Sequence, residues 1–184
     1  VMDGTILCHL AAKARGDFRI LINAVLCRDK DLAPHFLPVD FSPGKVAMKN
    51  NVAMGHRARE AMAADIPVLI FPSGFVSTAG RLGTGRAIDR PWTTFAAKLI
   101  SDARAKVVPI FFHGQNSRAF HIASHLSESL RMAFLIREAK ARFGTRFDVT
   151  IGDTLPYDSL EGIGGRKALT HYLYSAVQQL GRVQ

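Results

Sequence analysis

Two cysteines, one tryptophan and no long apolar run are what this chain of 184 residues is short of. Cys8 and Cys27 are too few for a disulfide framework, and neither stands in a Cys-x-x-Cys pair, so a small secreted scaffold and a zinc ribbon are both excluded. Both fall in apolar surroundings and read as inert, buried thiols suited to a reducing compartment. The longest apolar stretches, Ile66–Phe71 and Val107–Phe112, are strand-length, whereas a bilayer span needs ~20 residues. Acidic residues are scarce as well: 15 against 24 Lys and Arg, for a formal charge of +9. Such a field attracts nucleic acid, anionic headgroups or phosphate-bearing cofactors, although the basic residues are scattered and a plain solvated surface is the alternative. Without a basic strand interleaved with aromatics, or a recognition helix, a nucleic-acid partner is not expected.

Familiar catalytic signatures are missing too. Ser73 lies in Phe-Pro-Ser-Gly-Phe rather than in a Gly-x-Ser-x-Gly elbow. The stretch from Gly80 to Arg86 lacks the Gly-Lys-Ser/Thr ending of a phosphate-binding loop. His121 and His125 are spaced to share one helical face, but the residues between them include no Glu and no third ligand is in view. No metal and no cofactor are expected.

What is present is an alternation of short β-rich runs and helical patterns, which predicts an α/β fold, a mixed and mostly parallel sheet flanked by helices. Helices are expected over 3–14, 45–64, 93–105, 128–143 and 165–180. Strands are expected at Phe18–Asn23, Pro67–Phe71, Val107–Phe112 and Phe147–Ile151, and a short strand or a bend at Leu37–Val39. Repeats, low-complexity tracts and linkers are absent, so residues 1–184 read as one domain. The chain opens at Val1, inside a patterned segment, and is expected to lack its N-terminal part. No charged region followed by an apolar one marks a signal peptide there.

One segment invites chemistry. A hydrophobic strand runs into Phe71-Pro72-Ser73-Gly74 and stops, and backbone N–H groups in such a turn can converge on an anion at the carboxyl end of a strand. Taken alone, it reads better as an ordinary strand-to-loop turn. Its company argues otherwise. Phe71 to Ser77 resembles the Phe-Pro-Glu-Gly-Thr-Arg-Ser block of the lysophospholipid and glycerol-phosphate acyltransferase superfamily, in particular its bacterial hemolysin-like branch. Four further segments agree in order. Met2-Asp3-Gly4 is similar to the end of that family's His-x4-Asp motif, and Phe36-Leu37-Pro38-Val39-Asp40 to the block carrying its second motif. Asp89-Arg90-Pro91-Trp92 resembles the signature after the loop, and Val107 to Phe112 the fourth motif.

The resemblance implies a domain of αβα layers that moves a fatty acyl group from acyl-CoA or acyl carrier protein to a hydroxyl of a lyso-lipid or glycerol-phosphate-like acceptor. The motif histidine takes the proton of the hydroxyl, and its aspartate orients and stabilises the imidazole, here Asp3. An Asp in the first turn of a helix is also favoured by the helix dipole, and the two readings are compatible. The histidine is expected three or four residues before Val1, and a chain without it is expected to be inactive. His9 lies on another helical face and does not replace it. Ser73 and Val76 stand where the family has Glu and Arg, which weakens glycerol-3-phosphate as acceptor and favours another headgroup. Phe71, Pro72, Ser73, Gly74 and Ser77 are implied to line the substrate site, with Arg81, Arg86 and Arg90 supplying anion contacts or, alternatively, solubility alone. Lys45 and Lys49 are candidates for a phosphate of the acyl donor, an ordinary basic surface being the alternative. Peripheral contact with the cytoplasmic side of a bacterial inner membrane follows, and a non-catalytic lipid- or acyl-carrier-binding module on the same fold is the rival reading.

Overall fold

The computed structural model describes residues 2–24, 27, 32–40, 42–80, 82 and 84–182, the side chains of 128, 129, 131, 132 and 136 aside. Helix α1 (Met2–Arg15) leads through Gly16, at φ +79°, into strand β1 (Arg19–Asn23). A single 3-10 turn, Ala33–His35, precedes β2 (Phe36–Val39). Helix α2 (Lys45–Ala63) then crosses over to β3 (Val68–Leu69). These three strands form a parallel sheet in the order β2-β1-β3, with Ile20 opposite both Phe36 and Leu69.

The period-2 rule decides which layer covers which face. Leu21, Leu37, Val68 and Ile70 point to one side, where Ala58 of α2 and Leu99 of α3 (Phe95–Ala103) complete a core cluster. Ile20, Phe36 and Leu69 point to the other side, against Cys8 and Ala11 of α1. The result is an α/β fold in αβα layers. Small residues let α2 lie close: Ala58 is fully buried, and a Cβ placed on Gly55 would touch the Phe95 ring at 3.7 Å.

A second core joins α3 to α6 (Tyr157–Glu161) and α7 (Gly165–Leu180) through Ile100, Leu160, Leu169 and Leu173. Strands β4 (Ile110–Phe112) and β5 (Val149–Ile151) pair antiparallel as a separate ribbon. Between them in sequence, α4 (Arg118–Leu126) and α5 (Glu128–Ala141) form a hairpin hinged on Ser127. That serine ends α4 and caps α5, its Oγ accepting from the Leu130 N–H at 3.1 Å.

Three expectations need correction. The strand expected over 67–71 is paired only at Val68–Leu69, because the Pro72 turn draws Ile70 and Phe71 away from β1. The one expected over 107–112 is paired only at Ile110–Phe112, with Val107 in an isolated bridge to Leu155. Helix α4 was not expected as an element. Among the described residues, no helix is long and apolar enough to cross a membrane.

Candidate active site

The ends of α1 fix where Asp3 lies. At the C-terminal end, Arg15 pairs with Asp65 at 2.5 Å, and beside it the Arg19 N–H donates to the Pro67 carbonyl at 2.8 Å, both at the amino edge of the sheet. The N-terminal turn of α1, with exposed Asp3, therefore lies at the opposite edge, where β1, β2 and β3 end. The chain leaves β1 toward β2 on one side and later returns to β3 on the other. That reversal is where open parallel sheets receive ligands.

An open cleft of about 2520 Å³ reaches this edge and continues past Arg15, Asp65 and Pro67 at the other. It is well above the ~300–1,000 Å³ of ordinary small-molecule pockets, and so has room for a chain as well as a headgroup. Leu69, Ile70, Val107, Ile110 and Phe111 give it apolar walls. Asp3, Phe71, Pro72, Ser73, Gly74, Ser77 and Arg86 all line it.

Pro72 shapes the turn. Its fixed φ suits the second position of a β-turn closed by the Gly74 N–H on the Phe71 carbonyl at 2.9 Å, with Gly74 itself at φ +67°. Ser73 is buried, and its hydroxyl donates to the Phe75 carbonyl at 2.9 Å while lying 3.4 Å from the Phe75 N–H. The turn thus engages its own Gly74 and Phe75 N–H groups, and the backbone anion cradle expected from the sequence is not open at those two positions. The Pro72 carbonyl accepts from the Thr93 N–H at 3.1 Å, which ties the turn to the start of α3.

Beyond the turn, Ser77 donates to one Asp89 carboxylate oxygen and the Trp92 Nε1–H to the other, at 3.0 Å. Thr78 and Ile88 pair in both directions, at 3.1 and 3.3 Å, closing residues 77–89 into a loop. Arg86 rides this loop at the cleft and forms no ion pair among the described residues. Arg90 is placed elsewhere: it does not line the cleft, and its guanidinium stacks on the Phe75 ring at 4.2 Å. Arg81 lies outside the described residues.

Asp40, at the end of β2, also lines the cleft, and the Ser42 N–H at 2.8 Å holds its carboxyl below the usual carboxylate range. His113, just past β4, faces the same space with its Nε2 2.7 Å from the Thr150 hydroxyl. Sequence reasoning gave Asp89 and His113 no role. Asp89 stands inside a quoted motif, so that signal was there; His113 follows the fourth motif directly.

The His121 and His125 pair turns toward the protein rather than a metal. The Ala79 N–H donates to His121 Nδ1 at 3.2 Å, and His125 Nε2 donates to the Ala79 carbonyl at 2.9 Å. Among the described residues, no group of three His, Cys, Asp or Glu side chains converges as metal ligands would.

A family model described as Acyltransferase matches residues 1–175. The chain belongs to this acyltransferase family. Two lyso-glycine lipid O-acyltransferases are among the relatives of this acyltransferase. One, from Phocaeicola vulgatus, is 28% identical over 167 residues, covering 86% of this chain and 57% of its own. The other, from Bacteroides thetaiotaomicron, is 29% identical over 167 residues, covering 86% and 58%. The acyltransferase chain thus spans a little under three fifths of the length of these relatives. No solved structure matches it.

Proposed function

We propose that this acyltransferase moves a fatty acyl group from a thioester, on coenzyme A or acyl carrier protein, to the hydroxyl of a lyso-lipid. The observation that carries the reading is that Asp3 and the Pro72–Gly74 turn, about seventy residues apart in a chain matched by an acyltransferase family, both lie at the carboxyl edge of one parallel sheet. In this reaction a histidine base takes the hydroxyl proton, and Asp3 is the carboxylate we assign to accept the other imidazole N–H. The alkoxide oxygen attacks the thioester carbonyl, an acyl–oxygen bond forms, the acyl–sulfur bond breaks, and the thiolate leaves with the proton returned by the imidazolium. No covalent enzyme intermediate is needed.

The acceptor we favour is a lyso-glycine lipid, the class named for the two relatives. Ser73 and Val76, where glycerol-phosphate acyltransferases resembling this chain have Glu and Arg, support a headgroup other than phosphate. Arg86 is the cation we assign to that headgroup. The apolar walls suit the acyl chains. Peripheral contact with the cytoplasmic face of the inner membrane accompanies this reading. It is supported by the net charge and by exposed Val46, Met48 and Val52 interleaved with Lys45 and Lys49 on α2.

The test is transfer of a labelled acyl group by the full reading frame. A lyso-glycine lipid and a lysophosphatidic acid are offered in turn, each with acyl-CoA and with acyl carrier protein. Transfer that Asp3→Ala reduces about 10²–10⁴-fold is the expected result. Ligand binding without turnover under all four conditions would favour the non-catalytic module instead.

A further inference from the structure

The sequence from Ser77 to Asp89 includes Gly80, Gly83 and Gly85, and a glycine brings no side chain with which to hold a loop. Its two limbs are nevertheless gripped from outside, in the same manner on each. On the returning limb, Gln115 accepts from the Ala87 N–H at 2.9 Å and donates to the Gly85 carbonyl at 3.3 Å. Its own carbonyl accepts from Arg142, just past the end of α5. On the outgoing limb, the buried Ala79 peptide unit gives its N–H to His121 and its carbonyl to His125.

One helical turn separates the two imidazoles, which lets both reach one residue of an adjacent strand-like segment. Their hydrogen-bonding roles differ. His121 must present a bare Nδ1 to accept, and His125 must carry a proton on Nε2 to donate. The first of these is fixed by burial: His121 has 0% exposure, and a charged imidazole there would face the Ala79 N–H donor to donor. The helix that carries the pair is itself held. Glu138 of α5 accepts from the Ser117 N–H at 3.0 Å and from its hydroxyl, and Ser117 caps α4 through the Phe120 N–H at 3.3 Å.

We propose that His121 and His125 are positioning residues that clamp the Ala79 peptide from α4, and that this clamp keeps Arg86 on the cleft beside the Pro72–Gly74 turn. Its link to catalysis rests on the acyl-transfer reading above; the clamp itself does not. A loop released at Ala79 would hold Arg86 from the Gln115 side alone, through Gly85 and Ala87, and the headgroup would meet its cation less often. The loss falls on substrate capture rather than on the proton transfer, which takes place at the imidazole that Asp3 orients.

The clamp is tested on the full reading frame by limited trypsin digestion, reading the rate of cleavage after Arg86 by mass spectrometry. Cleavage after Arg166 in α7 serves as the control for global unfolding. His125→Leu removes one donor and is expected to raise cleavage after Arg86 about fivefold, the worth of one net hydrogen bond. His125→Gln keeps a donor at the equivalent position and restores protection. His121→Asn keeps an acceptor and stays near wild type, whereas His121→Leu does not. In acyl transfer, His125→Leu raises the acceptor KM by the same factor with kcat retained. Cleavage after Arg86 at the wild-type rate in a folded His125→Leu protein, or no rescue by Gln, overturns the clamp. A loosened loop with an unchanged KM overturns its link to substrate capture. If the wild type transfers no acyl group to any acceptor, the acyl-transfer reading falls while the digestion still decides the clamp.

Discussion

Asn51 of α2 binds both backbone groups of Asp40, accepting from its N–H at 2.8 Å and donating to its carbonyl at 2.7 Å. The amide side chain stands in for a further strand partner just where β2 ends, and it fixes the first turns of α2 against the cleft rim. Removing it leaves two half-buried backbone groups unpaired. Asn51→Ala should therefore cost about 1–3 kcal/mol, visible as a lower denaturant midpoint at unchanged m-value. Asn51→Asp keeps an acceptor and loses the donor, and should fall between wild type and Ala.

Gly181 has no room for a side chain. A Cβ placed there would meet the Phe111 ring at 2.5 Å, closer than any real contact. Phe111 lines the cleft, so Gly181→Ala pushes an aromatic ring into the space assigned to the acyl chain. Overpacking of this kind costs about 1–3 kcal/mol, and long acyl thioesters should lose more turnover than short ones. The double variant Gly181→Ala, Phe111→Leu should recover most of the melting temperature; no recovery would place the strain elsewhere.

Stability should weaken in mild acid through His121. Burial pushes its imidazole below the ordinary value of 6.5, the Asn116 carbonyl and Glu138 pull it up, and the neighbouring His125 pushes it down. With the folded value below the unfolded one, the unfolded chain binds more protons as pH drops. The contribution of neutral His121 is then complete above about 6.5 and is lost as pH falls from there toward the folded value. Melting temperatures from pH 7.5 to 5 should decline more steeply for wild type than for His121→Asn. Equal slopes would show that this side chain titrates alike in both states.

Much of the layered fold was legible because it follows from periodicity. The alternation through Ile20, Leu21 and Ile22 marks β1 as a strand covered on both faces, and α2 announces itself by small residues at helical spacing. The Pro72-Ser73-Gly74 turn was legible from residue types alone, since Pro and Gly carry backbone preferences with them. The anchoring of the loop was not. Gln115 meets Ala87 and His121 meets Ala79 across 28 and 42 residues, through side chain to backbone bonds that leave no pattern in the partner. The His121 and His125 spacing was seen, but spacing gives a shared face and not what that face touches. Arg90 and Arg86 look alike in sequence, and only the ring of Phe75 separates their fates.

That difference gives the sharpest test of the site. Arg86 lines the cleft without an ion-pair partner among the described residues, whereas Arg90 lies over Phe75 and off the cleft. If Arg86 meets an anionic headgroup, Arg86→Ala removes a charge-assisted contact worth about 1.5–3 kcal/mol, a rise in acceptor KM of about 10–150-fold. Arg86→Lys should recover only part of this, because an ammonium cannot make the paired contact a guanidinium makes with a carboxylate. Arg90→Ala loses an exposed stacking contact of about 0.5–1 kcal/mol, so its effect should appear in thermal stability and leave KM within about twofold. A larger KM effect at Arg90 than at Arg86 would reverse the assignment. Equal, small effects at both would mean that the headgroup is held by groups other than these two arginines.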